Sequence, residues 1–206
     1  PNSFTDEVLE VMASDPRFCR YLDMPFQHIS DPVLKKMNRK ITRKEIEATM
    51  ARVRRKLPDV AWRTTFIVGF PTETDQDFEE LVDFVSEGHF QHLGIFLYSD
   101  EDNIRSSKFG DPIPLTLKEE RKNRLMEIQQ KISREHHQKM VGSLQQVLVG
   151  GFSSETDLLL EGRNQYQGPE VDGVVYINEG NATSAGFHQV EITEAHEYDL
   201  VGKILN

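Results

Sequence analysis

Three short stretches of this chain hold side chains able to do chemistry, each directly after an apolar run. Tyr21–Phe26 leads into Gln27-His28, Val60–Gly69 into Phe70-Pro71-Thr72-Glu73-Thr74, and His92–Tyr98 into Ser99-Asp100. Gln27 carries a donor and an acceptor on one carboxamide, which suits a pair of ribose hydroxyls. Arg39 follows a short helical pattern and can clamp a carboxylate with two parallel bonds. Gly69 lets a backbone approach a ligand closely, and Pro71 fixes the turn behind it. Taken alone, these residues more often read as a tight loop and a solvated or dipole-paired arginine.

The elements that would position them alternate. Thr5 caps a helix through Val8, Leu9 and Met12, and Ser30-Asp31-Pro32 offers a cap and a first-turn proline before Val33 and Leu34. Thr42-Arg43-Lys44-Glu45 spells a capping box ahead of Ile46, Met50, Val53 and Leu57, which recur at helical spacing. Thr74–Glu87 reads as a helix, and Thr116-Leu117-Lys118-Glu119 as a second capping box opening a long helix to about Lys139. Strand–helix alternation implies parallel strands with right-handed crossovers, whose ligands sit at the strands' carboxyl ends. Three strands are too few for a closed barrel, so the first is expected to leave an open edge.

After Gly142 the helical period stops. Short β-rich runs follow at Leu144–Val149, Asp157–Leu160, Gly173–Ile177, Phe187–Ile192 and Tyr198–Ile204. Five short strands in so little chain suggest a small antiparallel barrel of the OB type. The expected fold class is therefore α/β, half of a TIM-type (β/α) barrel over residues 1–140 followed by a five-stranded OB-like β-barrel over 141–206.

Charge divides at the same place. The 206 residues carry a net charge of −10, and the stretch from Val141 onward alone carries −8, two basic residues against ten acidic ones. Such a segment repels a phosphate backbone and attracts a basic partner. RNA binding by the barrel is thus disfavoured, although Tyr166, Tyr176 and Tyr198 are available to stack; Tyr176 and Tyr198 are expected to pack within strands. The mean hydropathy of −0.52 and the lack of a long apolar stretch point away from a membrane. The single cysteine, Cys19, fits a reducing, cytoplasmic setting and cannot by itself hold an iron–sulfur cluster. The seven histidines form no metal-binding pattern, so no metal ligand and no catalytic residue is assigned within the chain. A chain that starts at Pro1 rather than Met reads as part of a longer one.

Residues 21–39 (YLDMPFQHISDPVLKKMNR) and 63–74 (RTTFIVGFPTET) closely resemble the radical S-adenosylmethionine methylthiotransferases. Gln27-His28-Ile29-Ser30, Pro169–Ile177 and Glu197–Gly202 are similar to the branch that modifies an aspartate of small-subunit ribosomal protein twelve. The resemblance implies a radical domain ending in a TRAM barrel, with S-adenosylmethionine as cosubstrate and 4Fe-4S clusters whose CxxxCxxC ligands this chain lacks. It implies Gln27 and Thr65 at the ribose, Arg39 at the methionine carboxylate, Ile67 at the adenine face, Gly69 closing its strand, and Tyr98 and Ser99 along the adenine edge. The implied partner is a basic ribosomal protein docking on the acidic barrel. A tRNA substrate, or a purely docking role for this length of chain, is the alternative. Alone, the chain is expected to be inactive.

Overall fold

The computed structural model describes residues 5–100, 109–153, 155–180 and 185–205. It divides into two compact units, Pro1–Phe18 with Leu22–Gln129, and Cys19–Tyr21 with Gln130–Asn206. No helix among the described residues is long and apolar enough to cross a membrane.

In the first unit the elements run α1 (Asp6–Ser14), β1 (Tyr21–Asp23), α2 (Asp31–Lys36), α3 (Arg43–Lys56), β2 (Ala61–Val68), α4 (Asp75–Ser86), β3 (His92–Leu97) and α5 (Leu115–Gln138). The helix α5 passes into the second unit at Gln130. The three strands form one sheet in the order β1-β2-β3, so among the described residues β1 has an open edge. β2 and β3 pair in parallel, with Thr65 opposite Gly94 and Ile67 opposite Phe96.

Strand period decides which side chains reach the candidate site. Along β2, Trp62, Thr64, Phe66 and Val68 are buried, whereas Arg63, Thr65 and Ile67 between them are half-buried. The buried set packs with Phe26, Phe84 and Phe90, whose rings meet tilted or edge to face at 5.8–6.5 Å. The half-buried set lies on the opposite face, where Phe96 is 61 % exposed.

Several boundaries differ from expectation for definable reasons. The α3 capping box forms as spelled, Thr42 Oγ1 accepting from the Glu45 amide and Glu45 accepting from that of Thr42. Ser30 precedes α2 but does not cap it, because its hydroxyl donates to Asp77 instead. At α5 the Thr116 box does not form. The helix starts at Leu115 and the Pro114 carbonyl accepts from the Lys118 amide, proline being suited by its fixed φ to open a helix. Thr116 is left inside the first turn.

The second unit is a closed barrel of β4 (Leu144–Phe152), β5 (Leu160–Arg163), β6 (Val175–Glu179), β7 (Gly186–Ala195) and β8 (Leu200–Ile204), ordered β4-β5-β6-β8-β7. Its core is β-branched and aliphatic: Val147, Val149, Val175, Ile177, Val190, Ile192, Leu200 and Ile204. Four pairings are antiparallel and β6–β8 is parallel. An odd cycle of strands cannot alternate direction all the way round, so closure requires one parallel pair. β5 begins at Leu160 rather than Asp157. The Thr156 hydroxyl accepts from the Leu158 amide, closing a turn that leaves Leu158 88 % exposed. Tyr198 lies in the turn before β8, not in the strand, and is 44 % exposed.

Gly173 shows how tightly that turn is drawn. A Cβ there would sit 1.8 Å from the Tyr198 carbonyl oxygen, a backbone atom that cannot swing aside. Gly173→Ala is expected to destabilise the barrel by about 3 kcal/mol, at the upper end of overpacking costs. Thermal unfolding of the variant chain followed by circular dichroism checks this, and an unchanged transition would contradict the close approach.

Candidate functional site

The carboxyl ends of the first unit's strands carry most of the residues singled out above. Gln27 stands four residues beyond β1, bridged in parallel to Phe66 of β2, with φ +75°, a left-handed conformation that costs a non-glycine residue roughly 1–2 kcal/mol. It is held there from both sides. Its amide donates to the Thr65 carbonyl (2.9 Å) and its carbonyl accepts from the Ile67 amide (2.8 Å). Gln27, Thr65 and Ile67 are thus one backbone-linked group. Strain kept in place by such bonds is characteristic of binding sites. Thr65 faces Gly94, whose missing side chain leaves room beside the Thr65 hydroxyl.

Ile67 packs against a small apolar cluster of Val33, Phe70 and Tyr98 at the same end of the sheet. Phe70 and Tyr98 meet edge to face at 5.3 Å. Gly69, at φ +76°, closes β2, and its amide donates to Glu73 Oε2 (2.8 Å). Gln27, Thr65, Ile67, Gly69 and Tyr98 are therefore brought to one rim. Ser99 follows Tyr98 and is exposed.

Arg39 is placed differently. The turn after α2 ends with Asn38 at φ +59°, its amide donating to the Lys35 carbonyl and that of Arg39 to the Leu34 carbonyl. These are the paired bonds of a Schellman motif, which fixes where Arg39 leaves the helix. The residue is exposed and lines a groove of about 240 Å³ with Met24, Pro25, Phe26, Lys40 and Ile41, which includes none of the other site residues.

A buried polar network beneath this rim escaped the sequence reading. The Glu73 carboxylate is fully buried; Oε2 accepts from the amides of Gly69 and Phe70, and Oε1 from Arg121 Nη1 (2.7 Å). The second Arg121 nitrogen donates to Asp75 Oδ1 (2.6 Å). His28 is wholly buried, and its Nδ1 accepts from the Ser30 amide (3.0 Å). That bond leaves the proton on Nε2, which stands 3.7 Å from Glu73 Oε2 without a hydrogen bond. Asp77 ties this region to α4. Burial pushes its carboxyl up, but the Ser30 and Thr74 hydroxyls and the Thr74 amide outweigh that and hold it below its ordinary value. Its depressed value keeps this stabilising contribution intact above the ordinary carboxylate range and loses it as pH falls through the lowered pKa.

A signal for these residues does exist in α5. Lys118, Arg121, Leu125 and Gln129 are all buried and lie three or four apart, so polar residues recur in phase with an apolar one. A polar residue on a buried stripe must find a partner.

On the barrel, the Tyr176 phenol is raised above its ordinary value first by burial, then by the nearby carboxylates of Asp199, Glu155 and Glu161. Burial and Glu197 raise that of Tyr198.

Residues 1–85 match the model of the radical S-adenosylmethionine superfamily and residues 141–205 that of the TRAM domain. Over its whole length the chain is similar to proteins named ribosomal protein uS12 methylthiotransferase. It is 42 % identical to the protein of that name, RimO, from Geobacter sulfurreducens, 48 % to that of Bdellovibrio bacteriovorus and 46 % to that of Desulfotalea psychrophila. In each case 100 % of this chain aligns, with 45–46 % of the relative, so it spans just under half their length. Gln27, Arg39, Thr65, Ile67 and Gly69 fall inside the radical S-adenosylmethionine match; Tyr98 and Ser99 fall beyond it.

The two groups such a superfamily uses fit this chain unequally. The strained, backbone-clamped Gln27 and the half-buried Thr65 and Ile67 fit a nucleoside. A 4Fe-4S cluster does not fit, since Cys19 is the sole cysteine and no group of three metal-binding side chains exists among the described residues.

Proposed function

We propose that residues 1–140 form the nucleoside-binding rear of a radical S-adenosylmethionine domain, and 141–206 the barrel that docks its substrate, in a methylthiotransferase acting on an aspartate of ribosomal protein uS12. The observation that carries this reading is the likeness of the whole chain, at 42–48 % identity, to enzymes of that name. S-adenosylmethionine, when bound, supplies the radical and methyl-transfer chemistry. This chain's residues bind and orient it. The Gln27 carboxamide meets the ribose hydroxyls, aided by Thr65, and Ile67 and Tyr98 flank the adenine with Ser99 at its edge. Gly69 closes its strand beside the base, the Lys118 stem filling the space a side chain would take, and Arg39, which lines a separate groove, is left out of these contacts. Phe70 and Val33, packed on Tyr98 and Ile67, keep water from the base.

The barrel's acidity favours a basic protein over RNA as the docked partner, and the proposed setting is the cytoplasm. The test uses the full-length protein, reconstituted anaerobically and incubated with uS12 or with tRNA. Mass spectrometry is expected to find a methylthio group on a uS12 aspartate and none on tRNA; modified tRNA with unmodified uS12 would overturn the substrate assignment. The 206-residue chain treated in the same way is expected to take up no stoichiometric iron. About four irons per chain would place cluster ligands here after all.

A further inference from the structure

Two cations of α5 are buried where charge is costly. Lys118 is 3 % exposed and Arg121 4 % exposed, one turn apart on the same face. Both reach the rim described above. The Lys118 ammonium donates to the Tyr98 carbonyl (2.7 Å) at the end of β3 and to Asp111 (2.5 and 2.6 Å). Its stem lies on Gly69 at the end of β2, so close that a Cβ on Gly69 would stand 2.4 Å from Lys118 Cγ. Arg121 holds Glu73, whose other oxygen accepts from the Gly69 and Phe70 amides. One helix thus grips the turn after β2 twice and the end of β3 once.

Stability alone does not account for this arrangement. Desolvating an ammonium and a guanidinium costs several kcal/mol each, and apolar residues of similar volume are often as stable or more so. What the charges add is direction: each bond fixes a particular backbone atom at a particular place.

We propose that Lys118 and Arg121 are positioning residues that set the gap between Gly69 and Tyr98, and so the width of the slot that receives the adenine. The inference rests on the nucleoside-binding reading above and adds two residues to it. The strap acts on the base and leaves the amino-acid end of the ligand alone. It therefore changes the affinity of every adenosine-bearing ligand by a similar factor.

The test is binding of S-adenosylhomocysteine and of adenosine to the full-length protein by titration calorimetry. Lys118→Met and Arg121→Met are expected to raise Kd for both ligands about tenfold, with Arg121→Lys between them and wild type. General loosening of the fold would instead lower the number of competent sites and the Tm without this parallel change in Kd. Variants that bind within about twofold of wild type would overturn the strap and leave the nucleoside reading standing. A wild-type protein that binds neither ligand would overturn that reading, and the strap with it. Should the methionine variants fail to fold, Arg121→Lys decides alone, since it keeps the charge and loses the fork.

Discussion

Glu73→Ala is expected to cost this chain about 3–5 kcal/mol, the usual price of leaving one partner of a buried ion pair behind. The side chain is inaccessible to solvent and so is nearly all of Arg121. Its removal strands the guanidinium and deprives the buried Gly69 amide of its acceptor. Arg121 keeps one partner, Asp75, but that carboxylate is 92 % exposed and compensates little. Asp75→Ala is the matching control and is expected to cost less than about 1 kcal/mol. Trp62 makes the measurement clean, being the only tryptophan and fully buried in the first unit. Urea titration followed by its fluorescence should show a large fall in midpoint for Glu73→Ala and almost none for Asp75→Ala. Pairing Glu73→Ala with Arg121→Met should recover part of the loss, because the stranded charge is then gone. Equal, small shifts in the two single variants would mean that the network bears no weight.

What the sequence made legible follows the range of the interactions concerned. The α3 capping box joins residues three apart, and the spacing of Ile46, Met50 and Val53 follows from one helix period, so both could be read directly. The alternation along β2, half-buried residues on one face and core residues on the other, is equally local. The α4 box was overlooked because its third position is Asp77, a shorter relative of the usual Glu, and Asp77 also serves Ser30. Glu73 and Arg121 are 48 positions apart, Ser30 and Asp77 47, and no local pattern links them. Arg39 shows the opposite case. The resemblance put it with Gln27 at one ligand, whereas the Schellman turn after α2 leaves it lining a separate groove. The β5 start and the position of Tyr198 moved because side-chain hydroxyls and tight glycine turns compete with strand pairing, which hydrophobic runs do not register.

Docking of the proposed basic partner is expected to weaken by one to two orders of magnitude between about 50 and 500 mM salt, as the screening length shrinks from well above 10 Å to a few ångströms. The reason lies in where the charge sits. The segment from Val141 carries most of the chain's net negative charge, and Glu155, Asp157, Glu170, Glu179 and Glu194 are all exposed. Around Tyr176, Asp199, Glu155 and Glu161 stand near enough to add to burial, the largest single cause, in holding back its ionisation. Neutralising that group with Glu155→Gln and Glu161→Gln should flatten the salt dependence and slow association more than it speeds release, since long-range charge acts on encounter. Surface plasmon resonance of full-length protein on immobilised uS12, with tRNA as competitor, separates the cases. Salt-independent binding, or displacement of uS12 by equimolar tRNA, would mean that the barrel reads something other than positive charge.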